Sequence, residues 1–155
     1  MSTALIARPT PSGFYGRFCA RGGSPDRLEG LLLRAVTHYF HGNVAVAQAY
    51  LIDAHPAGWY RLGGDFTSAT GYRHDKKESL ANLCYCHGET AARPRELDAT
   101  DAKEAGVDWA YVLQPDLLRV LTPVRDGWYE VRSTPWPYLP LSVRHPEPMP
   151  VASAA

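Results

Sequence analysis

Between Val107 and Val131 the sequence alternates with the period of a strand. Val107, Trp109, Tyr111 and Leu113 interleave with Asp108, Ala110 and Val112. Pro115-Asp116 offers a turn, residues 117–122 run back, and Asp126-Gly127 is a strong hairpin signal before residues 128–131. The pattern predicts a three-stranded antiparallel meander. A sheet with one apolar face must bury that face against a second layer, so the rest of the chain has to supply one.

Residues 25–40 are the first candidate for that layer. Ser24 can cap a helix and Pro25 suits its first position. Asp26 and Glu29 lie near the positive end of the helix dipole. Leu28, Leu31, Leu32, Ala35, Val36 and Tyr39 recur at helical spacing and form one apolar stripe, with Gly42 as the stop. A second helix is expected after Asn43, with Val44, Ala47, Gln48, Leu51 and Ile52 on one face and Pro56 and Gly58 ending it.

Upstream, residues 1–12 hold two prolines and little pattern, and read as a flexible N-terminal arm. From Gly13 onward Phe14, Gly16, Phe18 and Ala20 alternate with Tyr15, Arg17 and Cys19, as in a strand. Residues 58–62 suit a short strand, whereas 63–64 and 67–71 read as polar loop. Residues 80–86 read as a strand, and 88–106 as loop with a helical turn near 99–105. Six of the 13 prolines lie between Pro135 and Pro150, which excludes that stretch from a central sheet or a helix. Trp136, Tyr138, Leu139, Leu141 and Val143 give residues 134–143 apolar surface for docking, while 144–155 read as a mobile tail. The expected fold is therefore α+β: a mixed or antiparallel sheet with a C-terminal three-stranded meander and two helices packed on one face, as a single domain over residues 13–143.

Composition narrows the function classes. With 155 residues, 45% of them hydrophobic, the chain can bury a core without staples. A formal net charge of zero argues against nucleic acid as a partner, since phosphate binding draws on a basic excess. No apolar run is long enough to cross a membrane, and the N-terminus lacks the features of a signal peptide. Three cysteines, an odd number, fit free thiols in a reducing cytoplasm.

Four short segments occur in a recognisable order: Gly13-Phe14-Tyr15, Gly22-Gly23-Ser24-Pro25 opening a helix, Gly58-Trp59, and Asp108-Trp109-Ala110-Tyr111-Val112-Leu113. In this the chain resembles small uncharacterised proteins of actinobacterial phages, plasmids and integrated mobile elements. The resemblance spans residues 13–63 and 107–131. It implies an accessory gene product of a mobile element and brings no catalytic residue with it.

The chemistry-bearing residues concentrate in the middle of the chain. Cys84-Tyr85-Cys86-His87, with His74 ten residues before Cys84, contains the thiolate and imidazole donors that zinc prefers. Against a metal stands the spacing: zinc pairs are usually C-x₂₋₄-C, and on an extended strand a C-x-C pair reaches one ion poorly. Two small apolar side chains packed in a strand are the reading that this spacing favours. Tyr72, Arg73, Lys76 and Lys77 combine an aromatic with cations and could touch phosphate, or form a solvated loop. Trp59, Tyr60 and Trp136 are candidate contact aromatics, with docking on the chain's own domain as the alternative for Trp136. There is no phosphate-binding G-x-x-x-x-G-K-[ST], no G-x-G-x-x-G, no H-E-x-x-H and no G-x-S-x-G. These observations lead to a non-enzymatic binding protein that engages a host protein or small ligand. The alternative is a small metal- or phosphate-dependent enzyme, nuclease-like, centred on residues 72–87.

Overall fold

The computed structural model describes residues 2–71, 80–87, 93 and 95–136. Within them one mixed sheet carries nine strands, β1 to β9. β1 is Ala4–Thr10 and β2 Gly13–Arg21. Next come β3, Trp59–Arg61, β4, Asp65–Gly71, and β5, Ala81–Cys84. Last are β6, Leu97–Asp98, β7, Trp109–Leu113, β8, Leu117–Val124, and β9, Gly127–Pro135. The spatial order is β4-β5-β3-β2-β1-β7-β8-β9, with the short β6 also paired to β2. The meander β7-β8-β9 is antiparallel throughout. Gly127 opens β9 at φ 134°, a value that a Cβ-bearing residue rarely adopts.

Helices cover both faces. α1, Pro25–Arg34, continues into a π-helical turn at Ala35–Tyr39, and α2, Val44–Gln48, into another at Ala49–Asp53. Both pack on one face of the sheet, against Ala4, Ile6, Cys19, Trp59, Tyr111 and Val120. α3, Ala99–Glu104, starts at a capping box formed by Asp98 and Asp101 and helps bury the opposite face around Leu5, Ala7, Val112 and Leu121. Polar contacts tie the layers together. Gln48 Nε2 donates to the Leu113 carbonyl at 2.7 Å, Tyr111 donates its hydroxyl hydrogen to the Gly23 carbonyl at 2.6 Å, and Arg17 Nε donates to the Ile52 carbonyl at 2.8 Å. Glu29 on α1 is buried and accepts from Arg132 Nε and Nη2 and from the Thr134 hydroxyl, which joins α1 to β9.

Three expectations need correction. Residues 4–10, read as part of a flexible arm, form β1 in the interior of the sheet; it pairs antiparallel with β2 and parallel with β7. Its sequence hides this because both faces are covered, so Ala4, Leu5, Ile6 and Ala7 are all buried and no alternation survives. Residues 67–71, read as loop, belong to β4, an edge strand with Phe66 as its buried anchor. Tyr39, placed on the buried stripe, is 46% exposed, and Phe40 turns inward instead. The π-helical turn causes this exchange, because an i→i+5 bond, Phe40 N–H to the Ala35 carbonyl, shifts the register by one residue.

The α1 stripe is otherwise as expected, with Leu28, Leu31, Leu32, Ala35 and Val36 buried. Truncating Leu32, which has no exposed surface, to Ala should destabilise the protein by about 2–5 kcal/mol through lost burial and a residual cavity. Urea unfolding measures this directly; an unchanged midpoint would mean that α1 is not seated on the sheet.

Candidate metal centre

β5 ends at Cys84, and the chain then bends through Tyr85, Cys86 and His87. This bend removes the objection raised by the C-x-C spacing. On a continued strand the two sulfurs would be carried apart along the chain; here Cys86 and His87 curl back toward Cys84. Because β3 and β5 run antiparallel with Trp59 opposite Cys84, residues preceding Trp59 meet residues following Cys84. The turn 55–58 therefore faces the bend 85–87. Gly58 shapes that turn at φ 89°, donating its N–H to the His55 carbonyl and accepting from Tyr85 N–H, both at 3.0 Å. A side chain at position 58 would also meet the Phe18 carbonyl.

The outcome is a four-residue cluster of His55, Cys84, Cys86 and His87, whose donor atoms all lie within 4.8 Å of one another. Cys86 Sγ is 3.4 Å from His55 Nδ1 and 3.4 Å from His87 Nδ1, and Cys84 Sγ is 2.9 Å from His87 Nδ1. Tetrahedral zinc with ordinary bond lengths sets sulfur and nitrogen donors about 3.5 Å apart. Two of the three contacts match that spacing, and the third needs to open by about half an ångström. His55 and Cys84 are buried, Cys86 is half-buried and His87 is exposed, so the cluster is anchored in the core and reaches the surface on one side. The His55 ring packs at a 41° tilt against Trp59, with centroids 4.2 Å apart, and Trp59 is itself fixed by its Nε1–H to the Leu51 carbonyl at 2.9 Å. Nearby, the fully buried Asn82 accepts from the N–H groups of Gly63 and Gly64 and donates to the Tyr50 hydroxyl, which fixes β5 against the loop after β3.

Burial governs the electrostatics. It pushes the Cys86 thiol up to about 11, with the neighbouring Cys84 sulfur adding to the effect. It holds His55 down at about 4, helped by His87 facing it. At neutral pH His55 is therefore already in the neutral form that binds metal, whereas Cys86 must surrender a proton to do so. The consequence for metal-free protein has a definite sign. Unfolded, His55 titrates near 6.5, and folded near 4, so the unfolded chain takes up this proton first. Its contribution is intact above about pH 6.5 and is lost as pH falls toward 4, by about 2 kcal/mol after allowance for solvent on the His87 side. Unfolding of chelator-treated protein at pH 7, 5.5 and 4, with and without His55→Gln, measures the effect; equal slopes in the two proteins would count against it.

The remaining sequence candidates divide. Cys84, Cys86 and His87 are brought together, and His55, absent from the sequence candidates, completes the set. His74, Tyr72, Arg73, Lys76 and Lys77 lie outside the described residues, as do 137–155. Trp59, a candidate contact aromatic, is fully buried and belongs to the core. Trp136 is 4% exposed and donates Nε1–H to the Gln114 carbonyl, so its ring docks on its own fold and is not offered to a partner. Tyr60 is half-buried, edge-on to Tyr85 at 6.2 Å and capped by the Arg21 guanidinium at 5.5 Å. Among the described residues no helix is long and apolar enough to cross a membrane. Searches of protein-family models, curated proteins and solved structures return no match to this chain.

Proposed function

We propose that this chain is a non-enzymatic binding protein built around a structural zinc centre, with His55, Cys84, Cys86 and His87 as ligands. The observation that carries the reading is the convergence of two thiols and two imidazoles, from segments about thirty residues apart, into one cluster. Two sulfurs and two nitrogens form a donor set typical of structural zinc sites, and four protein ligands close the coordination sphere. A catalytic zinc keeps one position for water or substrate, so this donor count favours a tether over the enzyme alternative. The tether would hold the bend after β5 on the turn before β3. It would also fix Tyr85, which sits between the two thiolates, against Tyr60. That aromatic pair, with the Arg21 guanidinium over Tyr60, is the contact surface we assign to a host protein or small ligand. A host protein as target follows from the resemblance of residues 13–63 and 107–131 to proteins of mobile elements.

The test is elemental analysis of protein purified without a metal-affinity tag. About one zinc per chain is expected, falling below about a tenth in Cys84→Ser and in His55→Ala. Wild-type protein that neither contains zinc nor takes it up on dialysis against the metal would overturn the reading.

A further inference from the structure

We propose that the centre is a peroxide-responsive one, in which oxidation joins Cys84 to Cys86 and expels the metal. This rests on the metal reading above and adds to it a chemistry of the two sulfurs. Three features of the cluster support it. Cys84 is the last residue of β5 and Cys86 lies two residues on, in the bend beyond it; both belong to the 4.8 Å cluster, so Cys86 can swing onto Cys84 while β5 stays in place. Access is graded: Cys86 is half-buried beside the exposed His87, whereas Cys84 is fully buried. A small neutral oxidant therefore reaches Cys86 first and finds Cys84 behind it. The third thiol, Cys19, is buried in β2 and points its Sγ at the Arg21 carbonyl, 3.4 Å away, so it stands apart from this pair.

The steps balance with hydrogen peroxide as the two-electron oxidant. The Cys86 thiolate attacks the peroxide O–O bond, taking one oxygen to become a sulfenic acid and releasing hydroxide. The Cys84 thiolate then displaces a second hydroxide from that sulfur, forming the S–S bond. Two thiolates are oxidised, one peroxide is reduced, and two hydroxides leave. His55 and His87 alone cannot hold the ion, because a disulfide is a poor ligand for zinc, which binds thiolate. A bridge across a single intervening residue is a small, strained ring, and strained disulfides are the readily reduced ones. The change is therefore reversible by a dithiol, as a switch requires. Release would free the bend at 85–87 from the turn at 55–58, and with it the Tyr85–Tyr60 contact.

The experiment uses the full chain loaded with one equivalent of zinc and exposed to a small excess of hydrogen peroxide. Zinc release is followed with a chromophoric chelator and thiol state by intact mass and peptide mapping. Release should be at least about ten-fold faster than without peroxide, in step with a loss of two hydrogens mapped to Cys84 and Cys86. Dithiothreitol with added zinc should restore the starting state. Cys19→Ser should behave as wild type. Protein that binds zinc and keeps it under peroxide overturns the proposal while the centre stands. Zinc lost with oxygen added to Cys86 and no bridge also overturns it. Protein that never takes up zinc removes the centre itself, and the proposal with it.

Discussion

Zinc added to metal-free protein should raise its melting temperature by about 8–16 °C. A ligand at about a thousand times its dissociation constant stabilises the folded state by about 4 kcal/mol when it ignores the unfolded chain. Each kcal/mol moves the midpoint of a chain this long by about 2–4 °C. The metal should bind the fold more tightly than the unfolded chain, because unfolding parts His55 from Cys84, Cys86 and His87 and so breaks the four-ligand set. Magnesium, which seeks oxygen donors and octahedral geometry, should shift the midpoint by less than about 1 °C. In Cys84→Ser the zinc shift should vanish while the metal-free midpoint stays within a few degrees of wild type. Scanning calorimetry of chelated and reconstituted protein gives these values, and equal midpoints with and without zinc would refute the tether.

Trp59 is where core and metal centre meet, so its loss should be felt in both. It is fully buried in β3 between β2 and β5, with its indole N–H on the Leu51 carbonyl and its ring against His55 and Tyr50. Trp59→Ala should destabilise the metal-free protein by about 3–5 kcal/mol. It should also weaken zinc binding ten-fold or more, on the order of what loss of a supporting contact costs a metal site. Trp59→Phe keeps most of the packing but leaves the Leu51 carbonyl without its donor, so a smaller loss of about 1–3 kcal/mol is expected. Urea unfolding and competition with a zinc chelator separate the two effects. Normal zinc affinity in Trp59→Ala would show that the ring does not position His55.

The β7-β8-β9 meander and the α1 stripe were legible in the sequence because each carries a local mark, turn residues in the first and helical periodicity in the second. Pro115-Asp116 and Asp126-Gly127 mark off the strands of the meander, and Leu28 to Val36 repeat over a helix with their stripe buried. In β7, by contrast, alternation did not report one buried face, since Ala110 to Leu113 are covered on both sides. β1 was illegible because Ala4 to Ala7 form a short apolar run without alternation, with two prolines soon after, and only its place between β2 and β7 shows it to be a strand covered on both sides. Tyr39 and Phe40 exchanged places because a π-helical turn is set by how α1 packs, and a 3.6-residue pattern does not reveal it.

The metal centre divides along the same line. Cys84, Cys86 and His87 announced their chemistry by type, since thiol and imidazole are zinc ligands wherever they occur together. What spacing alone implied, two sulfurs on an extended strand, was undone by the bend at Tyr85. His55 had no local mark at all. It lies 29 residues before Cys84, in the turn between α2 and β3, and only the antiparallel register of Trp59 with Cys84 carries it to the sulfurs. By itself the sequence determined which donors the chain owns and which of its segments bury a face, because side-chain chemistry and periodicity are local properties. The tertiary structure decided which donors meet, because strand order and register are settled by burial across the whole sheet.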